Sequence, residues 1–250
     1  MWNLVVTHRI KIIIALFTII VILVSLMLFW DESVMMRKGA FYHARIPEKV
    51  VALTFDDGPS EKWTPKILDE LKKADIHATF FLVGKHVQQY PGIVKRVVSE
   101  GHEIGNHTMS HRLLIDMPMK DAIKEVTDGE TEIERVTGIH TTLFRPPKAW
   151  ISNQQKTALH KLGYTVVLWR INTKDWVNFD DKLIVHYVEK KIKPGDIILF
   201  HDAGGAIKSE GGNRQETVDT IAPLAAGLRK KGYRFATISE LLALQKKYAQ

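Results

Sequence analysis

The stretch VVALTFDDGP, residues 50–59, decides the fold class. Its first six residues are apolar apart from Thr54, which is typical of a strand buried on both faces, and Asp-Asp-Gly-Pro at 56–59 then ends the strand. Comparable strands are predicted at 78–83, 102–105, 142–144, 164–169 and 196–200, and helices at 65–74, 93–100, 118–137, 153–162, 180–191, 215–231 and 238–248. Buried strands that alternate with helices predict an α/β fold with a parallel sheet, and about seven such units favour a barrel or near-barrel.

The composition excludes several classes of protein. With 45% hydrophobic and 25% charged residues, the 250-residue chain is neither disordered nor collagen-like. Cysteine is absent, so a transition metal would have to be bound by His, Asp or Glu. The 35 basic and 28 acidic residues give a net charge of +7 that is spread along the chain. This charge indicates a solvated basic surface, or attraction to anionic envelope polymers; no nucleic-acid-binding motif is present.

Residues 12–30, IIIALFTIIVILVSLMLFW, contain no charged side chain. As a helix they would be about 28 Å long, close to the thickness of a bilayer core. Arg9 and Lys11 precede this run, and Asp31 and Glu32 follow it, which favours a cytoplasmic N-terminus. A cleaved signal peptide is the alternative, but its apolar region is shorter and ends in small residues. We therefore expect a cytoplasmic segment at 1–11, a single-pass membrane anchor at 12–30, a stalk at 31–45 and an extracytoplasmic domain at 46–250.

Side chains with catalytic chemistry follow several of the predicted strands. Asp56 and Asp57 follow the first strand, Arg145 follows the strand at 142–144, and His201 follows the strand at 196–200. In α/β barrels the carboxyl ends of the strands build the active site, so we expect these residues to meet at one edge.

His107 and His111 indicate a metal site when they are taken together with Asp57. Their i, i+4 spacing would place both imidazoles on one face of a helix. Two imidazoles and a carboxylate leave coordination positions open, as a hydrolytic metal site requires. Asp56 could then act as a base toward water. Each residue taken alone also has a plain structural explanation. His102 is interpreted as structural, and the histidines interpreted as ordinary helix or loop residues are His77, His86, His140, His160 and His186.

Five motifs carry a resemblance to a known family: ALTFDDGPS at 52–60, GHEIGNHTMSH at 101–111, FRPP at 144–147, TKDW at 173–176 and ILFHD at 198–202. In this order they resemble the polysaccharide deacetylase family, the NodB-homology domain of carbohydrate esterase family 4, from about residue 50 to residue 242. The resemblance implies a distorted (β/α) barrel that hydrolyses N-acetyl groups of aminosugar polymers. It also implies a divalent metal, usually zinc, bound by Asp57, His107 and His111.

The resemblance further implies a role for each of the remaining polar residues. Asp56 would be the catalytic base, and Arg145 would orient it. His201 would be the general acid that protonates the departing amine, and Asp175 would pair with it. The residues implied to contact substrate are Pro147, Lys148, Trp176 and Leu199.

Two departures from the family pattern keep alternatives open. Lys148 and Ala149 stand where family members commonly have an aromatic residue and then glycine, and Asn172 stands where many have aspartate. The leading interpretation is a membrane-anchored deacetylase of peptidoglycan N-acetylglucosamine or a chitin-like polymer. A cell-wall glycan-binding protein with impaired catalysis is the alternative. A phosphatase with Asp56 as nucleophile is disfavoured, because the usual Asp-x-Asp spacing is missing. The oligomeric state is not predicted.

Overall fold

The computed structural model describes residues 9, 11–22, 31, 33–177, 180–204 and 212–249. The chain divides into two compact units, Met1–Glu32 and Ser33–Gln250. In the first unit, residues 11–22 are helical. Among the residues described, no helix is both long enough and apolar enough to cross a membrane. Residues 23–30 of the predicted anchor lie outside the described residues, so the anchor stays a prediction.

The second unit is built on one parallel sheet. Its strands in the described part of the chain are β1 Val50–Asp56, β2 Thr79–Leu82, β3 Glu103–Asn106, β4 Leu143–Phe144, β5 Thr165–Val166, β6 Ile171–Asn172, β7 Ile197–His201 and β8 Arg234–Phe235. Their order is β5-β4-β3-β2-β1-β7-β6, and β8 pairs with the start of β1. No ladder joins β5 to β6 within this path. The sheet is thus a curled half-barrel: the predicted α/β class and parallel strands are confirmed, whereas a closed barrel is not observed.

Helices lie between the strands. In the described part of the second unit they are α1 Ser33–Met36, α2 Thr64–Lys73, α3 Gly84–Gln89, α4 Pro91–Ser99, α5 Met119–Thr137, α6 Asn153–Lys161, α7 Asp181–Lys191, α8 Gln215–Lys230 and α9 Ile238–Tyr248. The helix predicted at 93–100 is observed as α4, whereas the sequence predicts no helix at 84–89, where α3 lies. The two helices are separated at Tyr90. Pro91 explains the break, because proline disfavours a helical residue before it and fits the first turn of the next helix.

The alternation of side chains along β1 places the polar end of this strand inside the curl. Val51, Leu53 and Phe55 pack in the core between the sheet and its outer helices. Val50 and Ala52 pack in a second cluster with residues such as Phe81 and Trp169. Because successive side chains alternate between the two faces of a strand, Thr54 and Asp56 share the face of Val50 and Ala52. A buried carboxylate therefore ends β1 on this inner face.

Residues 33–45, the larger part of the stalk predicted at 31–45, contact the sheet and one of its helices. Phe41 forms a parallel bridge with Val167, just beyond β5. The Lys156 ammonium of α6 donates to two main-chain carbonyls of the segment, at 2.8 and 2.6 Å. This part of the chain is consequently packed against the domain.

Candidate active site

The Asp-Asp-Gly turn after β1 has a specific backbone conformation. Asp56 and Asp57 are 3% and 7% exposed, so both carboxylates are buried. Asp57 adopts a left-handed conformation with φ of 80°. Glycine is required at position 58, because a Cβ there would overlap the carboxylate of Asp202. The turn therefore presents two adjacent carboxylates at the carboxyl edge of the sheet.

Arg145 holds the first of these carboxylates. It is fully buried, and its Nη1 donates to Asp56 Oδ1 at 2.6 Å and to Thr54 Oγ1 at 2.8 Å. Its guanidinium lies 4.0 Å from the ring centroid of Phe81. Burial lowers the pKa of Arg145, but the Asp56 charge opposes this effect, and arginine remains protonated in proteins. Arg145 thus supplies both a countercharge and a fixed orientation to Asp56.

Asp57, His107 and His111 converge on one point. The Oδ1 atom of Asp57 lies 3.4 Å from His107 Nε2 and 3.0 Å from His111 Nε2. Burial raises the pKa of Asp57, but hydrogen bonds from both histidines outweigh burial and hold this pKa well below its usual range. His107 Nδ1 lies 2.7 Å from the Arg145 carbonyl oxygen and must donate to it, since a carbonyl only accepts. Its Nε2 is therefore the nitrogen that faces Asp57, and the three residues fit a divalent cation that takes N and O donors.

The two histidines lie in a loop after β3, so their predicted placement on one helical face is wrong. Thr108 and His111 have left-handed φ angles of 70° and 57°. The Thr108 hydroxyl accepts the His111 N–H at 2.9 Å, and Asn106 Oδ1 accepts the Thr108 N–H at 2.9 Å. These side chain-to-backbone bonds fold the loop back on itself, which brings the imidazoles together without a helix.

His201 and Asp175 form a second charged pair. His201 Nδ1 lies 2.7 Å from Asp175 Oδ1, and the His201 N–H donates to Oδ2 at 2.8 Å. The Thr217 hydroxyl also donates to Oδ2, at 2.7 Å. Burial lowers the pKa of His201, but the charge and hydrogen bond of Asp175, together with the Asp56 and Asp57 charges, raise it to about 9. The imidazole therefore carries a proton at neutral pH.

The residues predicted to contact substrate differ in accessibility. Lys148 is exposed in the short 3-10 turn Pro147–Ala149, and Trp176 is 47% exposed. Pro147 is buried, and Leu199 is 2% exposed within the inner core cluster. Lys148 and Trp176 are thus accessible to a ligand from solvent, and the contact roles of all four residues stay predictions.

Asn172 has a local role that needs no charge. Its Oδ1 accepts the N–H of Lys174 at 3.0 Å and so supports a residue with φ of 54°. An aspartate could accept the same bond.

Two buried residues at this edge were not predicted to belong to the site. His86 Nδ1 donates to the Asp57 carbonyl oxygen at 2.6 Å, and burial lowers the pKa of His86. Asp202 accepts a 2.6 Å hydrogen bond from the Thr64 hydroxyl, and burial raises its pKa to about 7. Both residues follow the carboxyl end of a strand, which is the signal that could have identified them.

Comparisons with known proteins agree with this geometry. A family model described as polysaccharide deacetylase matches residues 43–167. The chain is 41% identical over 197 residues to a peptidoglycan-N-acetylglucosamine deacetylase of Bacillus cereus, covering 78% of this chain and 89% of the relative. It is 37% identical over 199 residues to the peptidoglycan-N-acetylmuramic acid deacetylase PdaC of Bacillus subtilis, covering 80% of this chain and 40% of that protein. The solved structure of the Bc1960 peptidoglycan N-acetylglucosamine deacetylase superposes with a TM-score of 0.77 at 34% identity, covering 81% of this chain and 92% of the other.

Proposed function

The chain belongs to the polysaccharide deacetylase family, and from this premise we propose that it is a metal-dependent hydrolase that removes N-acetyl groups from peptidoglycan N-acetylglucosamine. One observation carries the proposal: a candidate metal-ligand set, an arginine-bound carboxylate and a protonated histidine lie together at the carboxyl edge of the sheet. The names of the relatives in Bacillus cereus and Bacillus subtilis support peptidoglycan as the polymer. The first of them supports N-acetylglucosamine as the sugar.

Asp57, His107 and His111 would hold the metal. Two imidazole nitrogens and one carboxylate oxygen suit zinc, which we propose as the ion. When bound, a divalent cation polarises the acetamide carbonyl and lowers the pKa of water.

Asp56 would accept the proton that the attacking water loses. Its Oδ1 accepts a hydrogen bond from Arg145. The other oxygen, Oδ2, lies 4.0 Å from His107 Nε2 and so faces the candidate metal ligands. The buried guanidinium stabilises the negative charge that a base must carry before it takes a proton.

His201 would donate a proton to the departing nitrogen. An amide nitrogen leaves poorly as an anion, so breaking the carbon–nitrogen bond requires protonation of the nitrogen. The pKa of about 9 keeps His201 protonated at neutral pH for this step. The overall reaction consumes one water and releases acetate and the amine.

The location of the enzyme is a separate part of the proposal. The apolar run at 12–30, with basic residues before it and acidic residues after it, supports a single-pass anchor with the domain outside the cytoplasmic membrane. This location would place the domain beside peptidoglycan. A chitin-like polymer is the alternative substrate.

Acetate release tests the proposed activity. We expect acetate from N-acetylated peptidoglycan fragments, loss of release with a chelator, and recovery with zinc. Asp56→Asn should abolish release without weakening glycan binding. Asp128→Asn, at a half-exposed surface ion pair with Lys124 on α5, should have no effect. Tight glycan binding with no acetate release under zinc-replete conditions would favour the binding-protein alternative.

Elemental analysis of the purified protein tests the metal site. Asp57→Ala and His111→Ala should each lose the bound ion. Retention of the ion by both variants would contradict the proposed ligand set.

A further inference from the structure

The Asp-Asp-Gly turn is held through three consecutive main-chain carbonyl groups. The carbonyls of residues 56 and 58 accept main-chain N–H groups of Asp202, at 3.1 Å, and Val83, at 2.9 Å. The middle carbonyl belongs to Asp57, and it accepts the ring N–H of His86 at 2.6 Å. His86 is 5% exposed, so removing its ring takes a donor away from a carbonyl group in the protein interior. A buried side chain thus fixes the backbone of a candidate metal ligand.

The left-handed conformation of Asp57 makes this bond consequential. With φ of 80°, Asp57 occupies a region that residues other than glycine adopt infrequently. Such a conformation persists only where the surrounding structure enforces it. The direction of the Asp57 side chain follows from this backbone conformation, and so does the position of Oδ1 relative to the two histidines.

The helix that carries His86 also holds the loop of the two histidines. Gly84 N–H donates to the Thr108 carbonyl and Lys85 N–H donates to the Met109 carbonyl, both at 2.9 Å. A Cβ at Gly84 would approach Met109 too closely, so the helix and the loop are in direct contact. The first turn of α3 is therefore hydrogen-bonded both to the turn that carries Asp57 and to the loop that carries His107 and His111.

We propose that His86 is a positioning residue for the metal site: its Nδ1–H holds the Asp57 carbonyl and thereby sets the separation between the carboxylate and the imidazoles of His107 and His111. This inference rests on the proposed metal-binding function of these three residues. His86 acts through Asp57 and contacts neither substrate nor metal. His86 lies in a helix, which fits its interpretation as an ordinary helix or loop residue, but the sequence does not predict its bond to the Asp57 carbonyl.

Two amide variants separate the positioning role from simple packing. In His86→Asn the side-chain amide nitrogen occupies the place of Nδ1, whereas in His86→Gln it occupies the place of Nε2. The measurement is zinc affinity of the purified full chain, by competition with a chromophoric chelator. We expect His86→Ala and His86→Gln to bind zinc about 10- to 100-fold more weakly, as is typical when a hydrogen-bond partner of a ligand is lost. His86→Asn should stay within about threefold of the parent, because it restores the bond.

His102→Ala is the matched control for loss of a buried histidine. His102 is 7% exposed, and its Nδ1 accepts the Ala78 N–H at 3.2 Å, away from the ligand set. This variant should lower the melting temperature and leave zinc affinity unchanged.

The outcomes distinguish this inference from the proposed function. Parent-like zinc affinity in a folded His86→Gln variant, or equal weakening in the Asn and Gln variants, overturns the positioning role. If His86→Ala does not fold, the Asn and Gln pair decides. If Asp57→Ala binds zinc as the parent does, the proposed ligand set itself is wrong.

Discussion

Replacing Asp175 with asparagine tests whether this carboxylate keeps His201 protonated. The substitution preserves the shape of the side chain and removes its charge. Asp175 is fully buried and meets both the ring and the main-chain N–H of His201. Without this charge, burial is the main influence on the pKa of His201, and burial lowers the pKa of a histidine.

The size of the effect follows from the pKa of His201. A fall from about 9 to the ordinary value of about 6.5 makes protonation roughly 3.4 kcal/mol less favourable. At pH 7.5 the protonated fraction would drop from nearly all molecules to about one tenth. A divalent cation bound at Asp57 lowers the pKa in parent and variant alike, so the difference between the two is the tested quantity.

The assay is the pH dependence of kcat/KM for acetate release. The proton donor is active when protonated, so activity falls as pH rises through its pKa. We expect this fall at a pH about 2 to 3 units lower in Asp175→Asn than in the parent, with the smallest loss of activity at acidic pH. Thr217→Val, which removes one hydrogen bond to Asp175 and keeps the charge, should shift the profile little.

A profile that falls at the same pH in the parent and in Asp175→Asn would refute this reasoning. An activity loss of equal size at every pH would also refute it, because it would show that Asp175 orients His201 without setting its protonation.

Three further predictions concern other contacts. Arg145→Leu leaves the buried Asp56 without its countercharge, so the free energy of unfolding in urea should fall by about 3–5 kcal/mol, and a loss below about 1 kcal/mol would contradict this account. Asn172→Asp should change kcat/KM by less than about twofold, because either side chain accepts the Lys174 N–H; a tenfold gain would show that charge matters there. Lys156→Met should speed amide hydrogen exchange in the segment before β1 at least about fivefold, since two carbonyls lose a donor, and unchanged protection would argue against anchoring by this ammonium.

Much of the site was predictable because strand ends are visible in the sequence. The apolar run before Asp56 and the run before His201 each predict a buried parallel strand, and both strands are observed. Since parallel strands end at the same edge, residues that are distant in sequence were expected to meet. The bond of Arg145 to Asp56 and the bond of Asp175 to His201 agree with that expectation.

Other features depend on contacts that sequence patterns do not encode. His86 acts on a main-chain carbonyl, so no residue type at a fixed spacing marks its partner. His107 and His111 have the i, i+4 spacing of a helix in the sequence, but they lie in a loop whose conformation depends on the left-handed residues Thr108 and His111. Strand β6 has only two residues, too few to show a periodic pattern.

The bridge between Phe41 and Val167 has a practical consequence for shortened versions of this protein. The Phe41 N–H donates to the Val166 carbonyl, and the Phe41 carbonyl accepts the Leu168 N–H, both at 2.8 Å. A protein that begins at residue 46 lacks Phe41, so the Val166 carbonyl and the Leu168 N–H lose these hydrogen bonds. Unpaired backbone groups at the edge of a sheet can pair with other chains and cause aggregation. Shortened versions that keep this bridge should therefore begin at or before Ser33.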